Sequence, residues 1–415
     1  MRLRRLAAFY LTIGLRNILK NWRRSLFTAT AVGAGFSAIS LFSGYIHYVY
    51  HGLMLQAVRG EGLAHLTIAR HGFFDNASLN PEDNLLSKAD LARVGSLLEK
   101  QPETVIWAPQ LAVSGMMTNG HASTIFIAEG LDAGREATIR GSFRLDRGGI
   151  LDPKFPAGIC VSRGLAKLLS LNTSSRAVLF TNTVSGQANA IDVDVHSIYD
   201  TGTAATNDKS LRIPLDMARK LYDVDGADRV RLLLKNEDEV EQVRTRLAGL
   251  FKSENLSLDI RDWKQLSAFY GQVKTLFDTI FSFIFSIVVI VVIMSVVNTM
   301  SMTVIERTRE IGTLRALGMK RPQIVALFSV EALLLAAVGV AVGFVITLIV
   351  VFVVNSMGVS YVPPGSSDRV PLLVDILPGT MAVIFLLLAM LTAGAALFPA
   401  SGASRKPIVD ALGHV

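Results

Sequence analysis

The chain has 415 residues, is 51% hydrophobic and only 18% charged, and carries a net charge of +7. Its mean hydropathy of +0.43 is too apolar for an ordinary soluble protein, and a single cysteine, Cys160, excludes an intrachain disulfide and any paired-cysteine metal site. The basic excess does not point to nucleic acid: segments 1–24, 304–322 and 400–415 hold fourteen Lys/Arg against three Asp/Glu, whereas residues 51–278 hold twenty-six against twenty-eight, so the positive charge sits beside apolar runs, as cytoplasmic loops require.

In chain order, residues 1–24 read as a basic amphipathic helix in the headgroup plane on the cytoplasmic side. Leu6, Phe9, Tyr10, Ile13 and Asn17 run down one side, and Arg2, Arg5, Arg16, Lys20, Arg23 and Arg24 mark the other side and the end. Small residues at Ala34-Gly35 and Ser37-Ala38 raise a cleaved signal peptide as the alternative, against which stand the long basic lead and the extended apolar run. A first span follows over 25–50, long enough for about 30 Å of hydrocarbon. Gly33, Ser37, Ser40 and Gly44 give it small residues three or four apart for close helix packing, and Tyr45, Tyr48 and Tyr50 form an aromatic belt. His47 and His51 lie one turn apart with no third ligand nearby, and read as interfacial polar residues rather than a metal site.

Residues 51–278 change character: apolar runs shorten to strand length and charges are spread throughout. Strands are expected at 63–69, 105–112, 123–130, 176–181, 191–198 and 230–234, and helices at 88–100, 162–171, 214–222 and 237–251. This mixture predicts a water-soluble α+β domain with room for two subdomains. The chain holds no HExxH, no G-x-S-x-G and no Gly-x-x-x-x-Gly-Lys-Ser/Thr phosphate loop; His65, His71, His121 and His196 are scattered. No catalytic residue, metal site or cofactor of this chain's own is therefore expected.

A helix from about Trp263 leads into a second span at 279–303. Asn298, near its cytoplasmic end, can hydrogen-bond a neighbouring helix or sit at the interface. Next comes the densely charged segment 304–322. Glu306 and Glu310 are four apart, with Arg307, Arg309 and Arg315 beside them, and Ile311, Leu314 and Leu317/Gly318 fall on another face. That pattern predicts one short amphipathic helix with a face for lipid and a face for a partner. The third span, 323–354, starts after Pro322 and carries Glu331 some two turns inside, where it is expected to reach back to Lys320 and Arg321. Gly339 and Gly343 in the same span make a GxxxG contact motif. Residues 355–377, with Pro363-Pro364-Gly365, read as an extracytoplasmic loop, 378–399 as a fourth span, and 400–415 as a cytoplasmic tail.

The run Glu306-Arg307-Thr308-Arg309-Glu310-Ile311-Gly312-Thr313-Leu314-Arg315-Ala316-Leu317-Gly318 resembles the signature of FtsX-like permeases, the ABC-transporter membrane subunits that include the MacB-type and the lipoprotein-releasing LolC/LolE-type permeases. Residues Ile159 to Leu171 resemble a strand-then-helix segment of MacB-type extracytoplasmic domains, although Asn172-Thr173-Ser174-Ser175 stands where a Gly-Asp turn often follows, and Pro407-Ile408-Val409-Asp410-Ala411-Leu412 resembles the family's usual ending. The resemblance implies four transmembrane helices, an α+β periplasmic domain inserted between the first and second, and both termini in the cytoplasm at the inner membrane. It implies a separate cytoplasmic ABC ATPase that binds ATP and magnesium and docks on the charged segment. It also implies a second copy of this chain or a homologous permease, and a periplasmic adaptor or lipoprotein as a further partner. The expected function is mechanotransmission, in which ATP-driven motion works on an amphiphilic substrate outside the bilayer; a non-transporting relay that controls a cell-wall hydrolase is the alternative.

Overall fold

The computed structural model describes residues 12–14, 16–20, 22–76, 84–141, 145–147, 151–201, 206–362, 369–405 and 407. The expectations made for residues 1–11, for Pro363-Pro364-Gly365 and for 408–412 lie outside the described residues. Helices of eight residues or more are α1 (Trp22–Leu55), α2 (Lys88–Glu99), α3 (Ala133–Arg140), α4 (Leu215–Tyr222), α5 (Val240–Ser253), α6 (Ala268–Glu306), α7 (Thr308–Ala316), α8 (Arg321–Ser356) and α9 (Pro378–Arg405). Two compact units share the chain. One comprises Met1–Val49, Lys274–Ser360 and Pro371–Val415, the other Tyr50–Val273 and Tyr361–Val370.

In the first unit, α1, α6, α8 and α9 are long and apolar enough to cross a membrane by length and composition. Val32 and Phe36 of α1, Val292 and Val296 of α6, Phe328 and Leu335 of α8, and Leu388 and Ala396 of α9 meet in one buried cluster. Lipid tails are as apolar as these side chains, so close packing and polar contacts must hold such helices together. Small residues provide the closeness: a Cβ added to Gly33 would lie 2.6 Å from the Gly339 carbonyl, one on Gly339 would lie 2.7 Å from the Ala29 carbonyl, and one on Gly343 would meet the Gly33 backbone tighter still. Beside this crossing the Thr347 hydroxyl donates to Ser37 Oγ at 3.2 Å, and Thr28 and Thr299 share a hydrogen bond of 2.6 Å between α1 and α6. Gly44 differs from the expectation. A Cβ there would strike the Asp375 carbonyl, so its openness admits the chain that leads into α9 rather than another span. Helix α9 also runs through Pro399 to Arg405, past the expected end at 399, a break that membrane helices tolerate.

The second unit holds one ten-stranded sheet of β1 (Leu66–Arg70), β2 (Thr104–Thr118), β3 (Ser123–Leu131), β4 (Leu145–Arg147), β5 (Gly158–Ser162), β6 (Arg176–Asn182), β7 (Ala188–Tyr199), β8 (Ser210–Pro214), β9 (Arg229–Leu234) and β10 (Leu258–Asp262). Strands β10, β1, β9 and β2 lie side by side, all antiparallel, with α2 between β1 and β2 and α5 between β9 and β10. That is a split β-α-β arrangement of the ferredoxin-like kind, and its core packs Leu66, Ile68, Val230 and Leu232 against Val94, Leu98, Val243 and Leu247.

The fifteen residues of β2 continue past this layer into a second subdomain. Strands β2, β3, β8, β5, β7 and β6 pair in succession, and β6 returns to β2, which closes a six-stranded ring. Val113, Met117, Phe126, Val161, Leu179, Val195 and Leu211 fill it, as a barrel of this size requires. Two subdomains thus share one strand. The sequence pattern ended that strand at 112, because Ser114, Gly115 and Thr118 break the hydrophobic run just where β2 passes from one core to the other.

Candidate functional site: the charged segment and its tethers

Segment 304–322 is two helices with a bend between them. Helix α6 ends at Glu306, Arg307 leaves helical geometry at φ −105 and ψ 13, and α7 begins at Thr308. Glu306 and Glu310 therefore sit on different helices, which corrects the expectation of a single face bearing both. At the other end the Gly318 N–H donates to the Arg315 carbonyl and the Met319 N–H to the Leu314 carbonyl, both at 3.1 Å, with Gly318 at φ +98. This is a Schellman stop, which needs glycine because a Cβ is strained in the left-handed region. It reverses the chain, and Lys320 leads straight into α8.

The reversal decides which charges meet. Helix α7 rises about 13 Å, close to the ~15 Å from Arg321 to Glu331 along α8 at 1.5 Å per residue, so Arg307 returns to the level of Glu331. Arg307 Nη1 lies 3.2 Å from Glu331 Oε2 and its Nε lies 2.8 Å from Glu310 Oε2. The guanidinium also sits 5.7 Å from the centre of the Phe328 ring. Asn17 Nδ2 donates to the same Glu331 oxygen at 3.3 Å. Glu331 is thus engaged by Arg307 and Asn17, not by Lys320 and Arg321 as expected. Arg24 of α1 forms an ion pair with Glu306 at the end of α6.

The two faces of α7 are also the reverse of the expected pair in one respect. Ile311 is 4% exposed and Leu314 packs against the same cluster that unites the long helices; this part of the apolar face therefore seals the bundle rather than facing lipid. Glu306, Arg309, Glu310 and Gly318 are exposed, Arg315 is half-buried, and Leu317 stands out with 81% of its surface free. Asn298 is exposed on α6, so it faces away from the helices of this chain. The sequence marks Asn17 as an amide on the apolar side of a basic helix and Arg24 as its basic end, but assigns a partner to neither.

A second concentration of charge lies in the other unit, around Glu136 of α3. Glu136 Oε2 accepts from Arg231 Nη2 at 2.7 Å, and its other oxygen pairs with Arg140 one turn along. Burial would push the carboxyl up; the Arg231 and Arg140 guanidiniums outweigh it and hold Glu136 down at about 2. Arg140 Nη1 donates to the Gly60 carbonyl at 2.5 Å, Arg212 Nη2 to the same oxygen at 3.3 Å, and Arg231 Nη1 to the Gly62 carbonyl at 2.8 Å. Arg140 also reaches Glu129 at 2.6 Å, and Arg212 lies 3.8 Å from the centre of the Tyr199 ring. These arginines hold the carbonyls that end the helical run from Trp22, where the helix dipole is negative. Burial, and after it repulsion from Glu129, raises the Glu61 carboxyl within the same cluster.

Neither cluster sets a nucleophile beside a base, and among the described residues no three His, Cys, Asp or Glu side chains could hold a metal ion. His47 instead pairs with Asp375 at 2.7 Å. Both arrangements are fastenings that fix backbone segments to one another.

The family model described as FtsX-like permease C-terminal matches residues 282–408. The uncharacterized ABC transporter permease YknZ of Bacillus subtilis is 28% identical over 146 residues, 34% of this chain and 37% of that protein. An uncharacterized ABC transporter permease of Methanocaldococcus jannaschii is 28% identical over 36% of this chain and 39% of its own length. The macrolide export ATP-binding/permease protein MacB of Campylobacter jejuni is 34% identical over 16% of this chain and 10% of its own. The matches thus span well under half of each relative. Among solved structures, the extracellular domain of YknZ aligns with 48% of this chain at a TM-score of 0.35 and 10% identity, and the periplasmic region of MacB from Actinobacillus actinomycetemcomitans with 50% at 0.37 and 14%. The matched stretch takes in α7, α8, α9 and most of α6, and with it this chain carries an FtsX-like permease domain.

Proposed function

We propose that the chain is the permease subunit of an ABC transporter that works by mechanotransmission. A cytoplasmic ATPase, holding ATP and magnesium, presses on the exposed face of α7; the four long helices shift, and the unit built from residues 50–273 moves on the extracytoplasmic side to extract or export an amphiphilic substrate such as a lipoprotein, lipid or peptide. In this reading α1, α6, α8 and α9 all cross the inner membrane, both termini are cytoplasmic, and a second copy or a homologous permease completes the membrane part.

The observation that carries the reading is α7 itself. It is a short helix whose apolar side is fixed to the long helices and whose charged side, Arg309 and Glu310 with Leu317 at its tip, is exposed beside Glu306 at the end of α6. Arg24 and Arg307 engage Glu306 and Glu310, yet these charges, with Arg309 and Leu317, stay exposed at the end of a span, a surface that suits a cytoplasmic partner. The polar groups of the long helices add support, because Ser37, Thr347, Thr28, Thr299 and Glu331 are all engaged in contacts between helices. Work at a distance suits such a bundle better than a hydrophilic path through it.

The test is affinity purification of the tagged chain from its native membrane in mild detergent, with mass spectrometry of what accompanies it. An ATPase is expected with the parent chain and absent from the Glu306→Lys, Glu310→Lys variant. Equal recovery of the ATPase with both overturns the docking assignment.

A further inference from the structure

We propose that Glu331 is a positioning residue that sets the angle of α7 and locks it to the helical residues 12–14 and 16–20, so that motion of α7 moves the N-terminal segment with it. The proposal rests on the coupling role given to α7 above and adds a second element to it.

Three observations carry it. First, Glu331 is 4% exposed within a mostly apolar helix, where a carboxylate persists only with partners of good geometry. Second, one oxygen, Oε2, serves both segments: Arg307 reaches it at 3.2 Å and Asn17 at 3.3 Å. Third, the N-terminal helix comes close to α8 at that place. A Cβ on Gly14 would lie 2.8 Å from Leu334 Cδ1 and 3.7 Å from Glu331 Cα, and Ile18 packs on the cluster of the long helices. Gly14 and Asn17 are three apart, hence on one face. The docked face is therefore the one that carries the amide.

The bend explains why side chains must set the angle. The backbone stays bonded through it, with the Arg307 N–H on the Thr303 carbonyl and the Ile311 N–H on the Arg307 carbonyl, but Arg307 itself is not helical, so hydrogen bonds alone leave the direction of α7 loose. The guanidinium fork fixes it by holding Glu310 of α7 with Nε and Glu331 of α8 with Nη1. A lysine, with one point of attachment, cannot span both carboxylates.

The experiment uses the full chain in lipid nanodiscs, with Cys160→Ala to remove its own thiol and Thr308→Cys on the buried side of α7. The readout is the rate of reaction with a water-soluble maleimide. Glu331→Gln, which keeps shape and an acceptor but not the charge, is expected to raise the rate on the order of tenfold, and the exchange Arg307→Glu with Glu331→Arg to bring it back within about threefold of the parent. Asn17→Ala is expected to raise the rate alone but add nothing on top of Glu331→Gln, as members of one network do. Leu317→Cys, exposed from the outset, should react equally fast in every background and reports intact folding. An unchanged Thr308→Cys rate in Glu331→Gln, failure of the exchange to restore it, or an independent additive effect of Asn17→Ala overturns the proposal. No ATPase takes part, so its absence from the purification sinks the transporter reading without touching this one.

Discussion

Arg231 and Glu136 face each other at 2.7 Å with neither side chain exposed to more than 1%, and Arg140 closes on the other oxygen of the same carboxylate. A buried ion pair contributes little over an apolar replacement of equal shape, yet breaking it from one side is costly because the surviving charge has nowhere to go. Glu136→Gln leaves the guanidiniums of Arg140 and Arg231 without their shared counter-charge, and is expected to destabilise the second unit by about 3–5 kcal/mol. Glu129→Gln, at the partly exposed rim of the cluster, is expected to cost about 1 kcal/mol or less. Thermal unfolding of the two variants in the same detergent checks this; equal melting temperatures would contradict the assigned role of Glu136.

His65 gives the same unit a dependence on acid. Its Nδ1 accepts the Leu234 N–H at 2.9 Å, which requires a neutral ring with the proton on Nε2, and burial followed by the nearby Arg59 charge lowers its pKa from 6.5 to about 4. The unfolded chain takes up this proton near pH 6.5 and the folded one only near pH 4, so protons favour unfolding between the two. Stability is full above pH 6.5 and falls as the pH drops, by about 3 kcal/mol at pH 4 from this group alone. His65→Gln should flatten that part of the stability profile between pH 6.5 and 4. A parent-like slope in the variant would assign the acid loss to other groups.

Much of this was legible in the sequence, and what was not has a physical reason. The charged segment declared itself through its setting between apolar runs, and Gly33, Gly339 and Gly343 through their spacing, because both signals are local. The partners of Glu331 were hidden behind the turn at Gly318: nearest in sequence were Lys320 and Arg321, but the turn brings Arg307 to Glu331 instead. Glu136 and Arg140 are four apart in a polar stretch, and nothing local states that the pair will be buried. Closure of the β2-to-β6 ring joins Met117 to Leu179, a long-range pairing that no periodicity reveals.

The glycine crossing allows a sharper statement. Gly343 abuts the Gly33 backbone directly, so any side chain at 343 must drive α1 and α8 apart and take the Thr347–Ser37 hydrogen bond with it. Gly343→Leu is expected to lower the melting temperature and reduce the yield of monodisperse protein, whereas Gly394→Leu on α9, whose Cβ would meet nothing within 4 Å, should be neutral. The Thr347–Ser37 hydrogen bond alone is worth about 0.6–2 kcal/mol, enough with the lost packing to separate the pair in a thermal-shift series. Equal behaviour of the two would mean that the crossing is not what holds these helices.

The arrangement across the membrane follows from charge and can be tested with single thiols. His121 lies at the exposed tip between β2 and β3, and Leu317 at the exposed end of α7. Basic residues flank Leu317 at Arg309, Arg315, Lys320 and Arg321, so under the positive-inside rule the proposed orientation has that loop on the cytoplasmic side, and the near-neutral balance of residues 51–278 suits the opposite side. In a Cys160→Ala background, His121→Cys should react with an impermeant maleimide in intact cells whose inner membrane alone limits access, and Leu317→Cys only after permeabilisation. The opposite pattern would invert the orientation and remove α7 from the reach of a cytoplasmic ATPase. Labelling of both from outside would mean that α6 does not cross at all, and the exposed charge on α7 would then need a partner of another kind.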